Sequence, residues 1–279
     1  MVLYHFGIGD WNGTMSGELD LFSESVSKTA GTRVLFLDTE TTGADPETAE
    51  VCELALLLTT YTGFVRDQSG DSLLEMLVKP SVPVPPEASA IHHITNRMLA
   101  DRPAIADIAA SVRELVDRAD FVCAHNLAFD LTILKRELPD VFGCVTQEME
   151  LDSLRLARHI WPAIASHALQ ALRYRYELDA GLEGDAHRAL FDTILVRSLV
   201  EHVIGAGLTD CPDWTSLAEL CRSPLDIQTF SFGKYRGKLV EDIAAEDADY
   251  IRWLLRQKWL TEEYPDLYHT LLKKIGGKK

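Results

Sequence analysis

The run Val34-Leu-Phe-Leu37 leads straight into Asp38-Thr-Glu40, and this junction limits the fold more than any other part of the chain. Four apolar residues in succession read as a strand covered on both faces. Side chains two apart on a strand share a side, so Asp38 and Glu40 stand together at the end of a buried element. An unpaired charge is costly in such a place. The fold must therefore bring positive charge to that strand end, from side chains or from bound cations.

The rest of the chain can be set out around this strand, expected over 33–39. Further strands are expected at 50–60 and 72–79, the first of them carrying the run Leu54-Ala-Leu-Leu-Leu58. After a proline-rich turn at 80–86, helices are expected at 86–92 and 104–117. The second spaces Ile105, Ile108, Val112 and Leu115 for one apolar face. Phe121-Val-Cys-Ala124 reads as a short buried strand, and Asn126 as the N-cap of a helix running to about Leu138. A strand at 148–152 precedes helices at 153–160, 167–174 and 188–204. Three successive strands, then strands alternating with helices, predict an α/β domain over 31–205 with a mixed sheet flanked by helices.

Residues 206–228 read as a linker with a short helix at 215–222, opened by a capping box at Ser216 and Glu219. Residues 229–279 read as a small accessory module. It begins with a hairpin in Thr229-Phe-Ser-Phe-Gly-Lys-Tyr-Arg-Gly-Lys238 and continues with helical patterns at 240–245, 248–257 and 261–275. Ile251, Trp253 and Leu254 are expected to form its core. Residues 1–30, polar and without periodicity, read as a poorly ordered leader.

Composition excludes several classes. An apolar fraction of 47% is that of a globular protein with a true core. No apolar run approaches the ~18 residues of a membrane span. The first thirty residues lack the basic start and apolar stretch of a signal peptide. Five scattered cysteines fit neither a disulfide framework nor a zinc spacing, and Cys52 and Cys123 fall in strand-like runs. The expected location is the cytoplasm. A net charge of −16 opposes a nucleic-acid partner at first sight. Residues 31–205 hold 15 Lys and Arg against 27 Asp and Glu, whereas 206–279 hold 11 against 12. A polyanion would need the clustered cations of the second part, bound metal ions, or both.

Further acids and a histidine join the opening pair. Asp130 follows the strand ending at Ala124 by one helical turn. His187 and Asp192 lie five apart, which on a regular helix is roughly 140° around the axis. Both can face one site only if Asp192 is in the helix and His187 stands just before it, on a glycine-containing segment. Taken singly, each has a plain reading as a solvated strand edge, a helix-face charge or an ordinary polar residue. Together, four carboxylates and two divalent cations sum to zero charge. An all-oxygen donor set suits Mg2+, with Mn2+ as substitute, better than zinc. Two such ions, about 3.5–4 Å apart, are suited to in-line attack on a phosphodiester.

These residues carry a resemblance. Asp38-Thr-Glu40, Ala124-His-Asn-x-x-Phe-Asp130 and His187-x-x-x-x-Asp192 resemble the three motifs of the DEDDh 3′→5′ exonucleases, whose fold is ribonuclease H-like. Arg188, four before Asp192, stands where the sister DEDDy group has tyrosine. Ala90-Ile-His-His-Ile-Thr95, Leu156-Ala-Arg-His-Ile-Trp-Pro162, the Phe230–Lys238 turn and Tyr250-Ile-Arg-Trp-Leu254 are similar to the exodeoxyribonuclease X branch. The likeness covers about 33–258.

The resemblance implies that Asp38, Glu40, Asp130 and Asp192 hold the two metals. It implies His187 as general base and 5′ nucleoside monophosphates as products. It also implies that Thr41, Thr42 and Gly43 contact the terminal nucleotide of a DNA 3′ end, single-stranded or duplex. Asn126 joins these candidate substrate contacts, as does Phe129, whose ring suits base stacking and core filling equally. His92, His93 and His125 are read as structural. Lys234, Arg236 and Lys238, interleaved with Phe232 and Tyr235, suit a nucleic-acid backbone. The plainer reading packs those aromatics on Trp253 and pairs the cations with Glu241 and Asp242. RNA is an alternative substrate, because the metal site does not exclude a 2′-hydroxyl. A polymerase-associated proofreading or purely nucleic-acid-binding module is the remaining alternative.

Overall fold

The computed structural model describes residues 31–178 and 187–276. The expected leader, the glycine-containing segment ahead of His187 and residues 277–279 lie outside the described residues. Strand β1 spans Thr32–Thr41, β2 Val51–Thr62 and β3 Val65–Leu77, a meander of antiparallel neighbours. Helices α1 (Pro86–His92), α2 (Asn96–Leu99) and α3 (Ala109–Val116) follow. Strand β4 (Phe121–Ala124) then pairs parallel to β1, and β5 (Glu150–Asp152) parallel to β4. The five strands form one mixed sheet in the order β3-β2-β1-β4-β5.

Between β4 and β5 lie α4 (Leu127–Glu137) and α5 (Pro139–Phe142). After β5 come α6 (Ser153–Ile160), α7 (Leu169–Tyr176) and α8 (Ala189–Gly205). The apolar run of β1 serves two cores at once. Val34 and Phe36 pack with α6, α7 and α8, while Leu35 and Leu37 pack with α3, α4 and α5. A strand buried on both sides needs no alternation, which is why the run is unbroken. Asp38 and Glu40 continue the row of Val34 and Phe36, on the α8 side; Thr39 continues the other row, on the α4 side.

Helix α9 (Trp214–Arg222) buries Trp214, Leu217, Ala218 and Cys221 in the core that α8 completes. Four helices follow: α10 (Val240–Glu246), α11 (Ala248–Leu254), α12 (Lys258–Glu263) and α13 (Pro265–Gly276). They enclose a separate small core around Phe230, Val240, Ile243, Ile251, Leu254 and Leu271. Arg155 of α6 joins this part to the sheet domain. Its guanidinium donates to the Cys221 carbonyl at 2.6 Å, the Ser223 carbonyl at 2.7 Å and both Asp266 oxygens at 2.9 and 3.1 Å.

Several local expectations are corrected. Residues 105–108 form a 3-10 turn, and only from Ala109 does the chain become α-helical. Asn126 stands at the N-cap position of α4, yet its backbone is left-handed (φ 76°) and its side chain caps nothing. Its N–H instead donates to Asp152 Oδ1 at 3.1 Å. The cap of α9 is Asp213, which accepts from Ser216 N–H at 2.8 Å, so Ser216 lies inside the helix and the capping box does not form. The hairpin shrinks to a turn closed by a single antiparallel bridge between Thr229 and Leu239. The pattern at 261–275 is split: Pro265 cannot donate into a continuing helix, and α13 starts there. Trp253 is 51% exposed rather than in the core. Among the described residues, no helix is long and apolar enough to cross a membrane.

Candidate active site

At the carboxyl end of β1 the register with β2 slips between Glu40 and Thr41, and the chain turns away from the sheet. The turn is held by its own polar groups. Thr41 Oγ1 donates to the Gly43 carbonyl at 2.8 Å, and Thr42 Oγ1 accepts from Glu50 N–H at 2.9 Å. A Cβ on Gly43 would meet nothing within 4 Å, so this backbone faces open space. Thr41 and Thr42 are themselves buried.

Two helices bring acids to the same strand end from opposite faces. Helix α4 delivers Asp130, 4% exposed, whose Oδ1 accepts from Thr39 Oγ1 at 2.7 Å. Helix α8 delivers Asp192, 7% exposed, in its first turn. His187 precedes that helix with φ 60°, and its N–H donates to Asp192 Oδ2 at 3.1 Å. Gln170 of α7 donates to the other oxygen, Oδ1, at 2.5 Å. One ligand-type atom each from Glu40, His187 and Asp192 lie within 4.8 Å of one another, with His187 exposed.

The electrostatics follow from this crowding. Burial first, then the charges of Asp130, Asp192, Glu40 and Glu53, push the Asp38 carboxyl well above the usual range. Burial and Asp192 push Glu40 up to about 8. Burial raises Asp130 to about 7 against the opposing hydrogen bond from Thr39. Asp192 is raised by burial, opposed by the His187 N–H. Of the four acids, Glu40 and Asp192, with the His187 ring, are close enough together to hold one small cation; Asp38 and Asp130 lie outside that group. The donors are oxygens with one imidazole beside them, which fits a hard divalent ion.

The other candidate residues are more scattered. Asn126 is exposed at the head of α4, and Phe129 is half-buried against the Leu35 and Leu37 side of the core. His92 is buried, its Nδ1 accepting from Ile94 N–H at 3.0 Å; His93 closes α1 with φ 61°. His125 bonds to Ser153 Oγ at 3.0 Å and to the His167 carbonyl at 2.8 Å. Lys234, Arg236 and Lys238 are exposed on the accessory part, outside the acid cluster. Lys234 pairs at 2.9 Å with Asp247, not with Glu241 or Asp242, and lies 4.6 Å from the ring centroids of Tyr235 and Tyr250.

Sequence reading passed over Thr39, Gln170 and Glu53. Glu53 is fully buried in β2, directly opposite Glu40 in the strand register. Its signal was present: a lone acid inside a long apolar strand requires a cation from elsewhere in the fold.

A mixed sheet with acids from three elements gathered at the carboxyl end of its central strand defines a ribonuclease H-like nuclease. Residues 35–197 match the exonuclease family, and residues 230–258 match the exodeoxyribonuclease X-like C-terminal family. The chain is 31% identical over 240 residues to exodeoxyribonuclease 10 of Escherichia coli K12, covering 84% of this chain and 95% of that protein. It is 33% identical over 173 residues to the DNA polymerase III subunit epsilon of the same organism, covering 59% and 68%. A solved structure of exonuclease X in complex with 5′ overhanging duplex DNA superposes with a TM-score of 0.50 at 26% identity. It covers 68% of this chain and 99% of that one. The chain belongs to the DEDDh 3′→5′ exonuclease family.

Proposed function

We propose that the protein is a metal-dependent exodeoxyribonuclease that removes 5′ nucleoside monophosphates from DNA 3′ ends, in repair or end trimming. The observation that carries this reading is the gathering of Asp38, Glu40, Asp130 and Asp192 at one strand end, where burial hinders the ionisation of all four and the neighbouring acids add to it at Asp38 and Glu40. The name of the relative that spans most of the chain, exodeoxyribonuclease 10, supports DNA as substrate. So does the DNA bound in the related exonuclease X structure.

In this reading the four carboxylates hold two divalent cations, Mg2+ with Mn2+ as substitute. When bound, such ions supply a water acidified toward neutrality and offset the charge on the departing 3′ oxygen. His187 accepts the proton of the attacking water at a ring nitrogen, a role worth typically ~10²–10⁴-fold. Gly43 has no side chain to block the approach of the terminal nucleotide, and Thr41 and Thr42 fix the turn against which it rests. Asn126 and Phe129 line the strand's path. Lys234, Arg236 and Lys238 hold the DNA backbone from the accessory module, residues 229–279, beyond the 206–228 linker and the catalytic unit 31–205.

The test is degradation of matched DNA and RNA oligonucleotides, single-stranded, blunt and overhanging, with and without chelator. Release of mononucleotides from DNA 3′ ends only with divalent cation is the expected result. Preference for RNA would replace the substrate assignment, and activity in chelator would remove the metal from the mechanism.

A further inference from the structure

Glu53 faces Glu40 across the β1–β2 ladder, an arrangement in which like charges oppose one another at a cost. Its charge also raises both Asp38 and Glu40. A buried acid beside a cluster already crowded with carboxylates would be replaced by an apolar residue if packing were all it supplied.

Its partners indicate what else it supplies. Arg188 Nε lies 3.2 Å from each Glu53 oxygen, and the second guanidinium nitrogen 2.6 Å from Oε1. Ala189 N–H, at the first position of α8, donates to Glu53 Oε2 at 3.0 Å. A single carboxylate thus satisfies an otherwise unpaired amide at a helix N-terminus and grips the preceding side chain with two prongs. Arg188 also reaches Glu75 of β3 at 4.0 Å. Immediately before Arg188, His187 adopts φ 60°, a region that non-glycine residues occupy only when their surroundings hold them there. Arg188 is drawn toward β2 and β3, while a ring nitrogen of His187 comes within 4.8 Å of carboxylate oxygens of Glu40 and Asp192.

We propose that Glu53 is a positioning residue for the His187 imidazole. Through Arg188 and Ala189 N–H it fixes the chain on one side of the left-handed turn from which His187 projects. This inference rests on the reading of His187 as general base. The Glu53 carboxylate itself takes no part in proton transfer and holds no metal.

The experiment is a mutant cycle with Glu53→Gln, Arg188→Met and His187→Ala, each checked for folding by circular dichroism. Glu53→Gln and Arg188→Met should each lower kcat about 10–100-fold, the usual scale for a supporting partner, with KM nearly unchanged. The assays are run at saturating Mn2+, so that a change in cation affinity from the altered charge beside Glu40 does not enter kcat. Added to His187→Ala, Glu53→Gln should cost nothing more, because the group it positions is gone. In metal-free protein labelled with 15N-histidine, the His187 ring signals, identified by their loss in His187→Ala, should shift or broaden in Glu53→Gln. Where Glu53→Gln fails to fold, Arg188→Lys takes its place; it keeps the charge but loses the two-pronged grip. An equal loss of rate in the His187→Ala background, or unchanged His187 signals, would overturn the proposal. Wild-type turnover by His187→Ala would instead end the general-base reading, and the ring signals would still report on Glu53.

Discussion

The hydroxyl of Thr39 donates to the carboxylate of Asp130 at 2.7 Å, tying two residues 91 positions apart. Thr39 sits between Asp38 and Glu40 and points to the opposite face of the strand, so one tripeptide addresses both helices that bring acids to the site. Thr39→Val keeps the shape and removes the donor. A hydrogen bond to a charged group is worth roughly 1.5–3 kcal/mol, and Asp130 ionises less readily without it. The variant should lose about that much stability in urea and bind Mn2+ about 10–100-fold more weakly by titration. Unchanged Mn2+ affinity would mean that Asp130 needs no support to face the cluster.

Asp38 feels every other acid of the site. Asp38→Asn should abolish cation-dependent nucleotide release by at least ~10³-fold, more than one supporting residue contributes. The same substitution removes a source of repulsion, so metal-free Asp38→Asn should melt at a higher temperature than metal-free wild type near pH 8. Near-normal nucleotide release would defeat the assignment of Asp38.

The raised carboxyls predict how the chelator-treated protein responds to pH. Glu40 titrates at about 8 and Asp130 at about 7 in the folded chain, against ordinary values of 4.5 and 3.8. Between these limits the folded form holds protons that the unfolded form has released, so stability falls as pH rises. That contribution is full below the unfolded values and is lost once pH passes the folded ones. Calorimetry in EDTA should show a lower Tm at pH 8.5 than at pH 5.5, and Mn2+ at pH 8.5 should reverse the loss. A Tm that is the same at both pH values in EDTA would contradict the crowding.

On the accessory module, the three basic residues differ in their surroundings. Lys234 is engaged by Asp247, whose carboxyl is held down to about 2 by the Tyr235 hydroxyl and the Lys234 ammonium. Arg236→Ala and Lys238→Ala should each lower the salt slope of DNA binding by about one unit, as expected for a lost phosphate contact. Lys234→Ala should lower it less. Equal slopes for the wild type and the triple alanine variant would assign the turn a packing role alone.

Much of the fold was legible because its signals are local. The unbroken Val34–Leu37 run required cover on two faces, and the order of strands and helices fixed a mixed sheet. The five-residue spacing of His187 and Asp192 required a break before α8, where φ 60° is found. What escaped was set by distant partners. Asn126 looked like a side-chain cap, but Asp152, 26 positions on, takes its N–H. Asp213 outcompetes Ser216 for α9 because its carboxylate reaches the Ser216 amide itself. Trp253 looked like core by composition, yet Ile251 and Leu254 already fill that helix's inner face. Glu53 carried a detectable anomaly, but only the fold reveals that Arg188 answers it.

The four-way grip of Arg155 has a mechanical meaning. One guanidinium, carried on α6, is fastened at once to two carbonyls at the end of α9 and to both carboxylate oxygens at the start of α13. In the proposed function, a strand gripped at the Lys234–Lys238 turn meets the acid cluster from a stance that this clamp sets, like work held in a vice beside the blade.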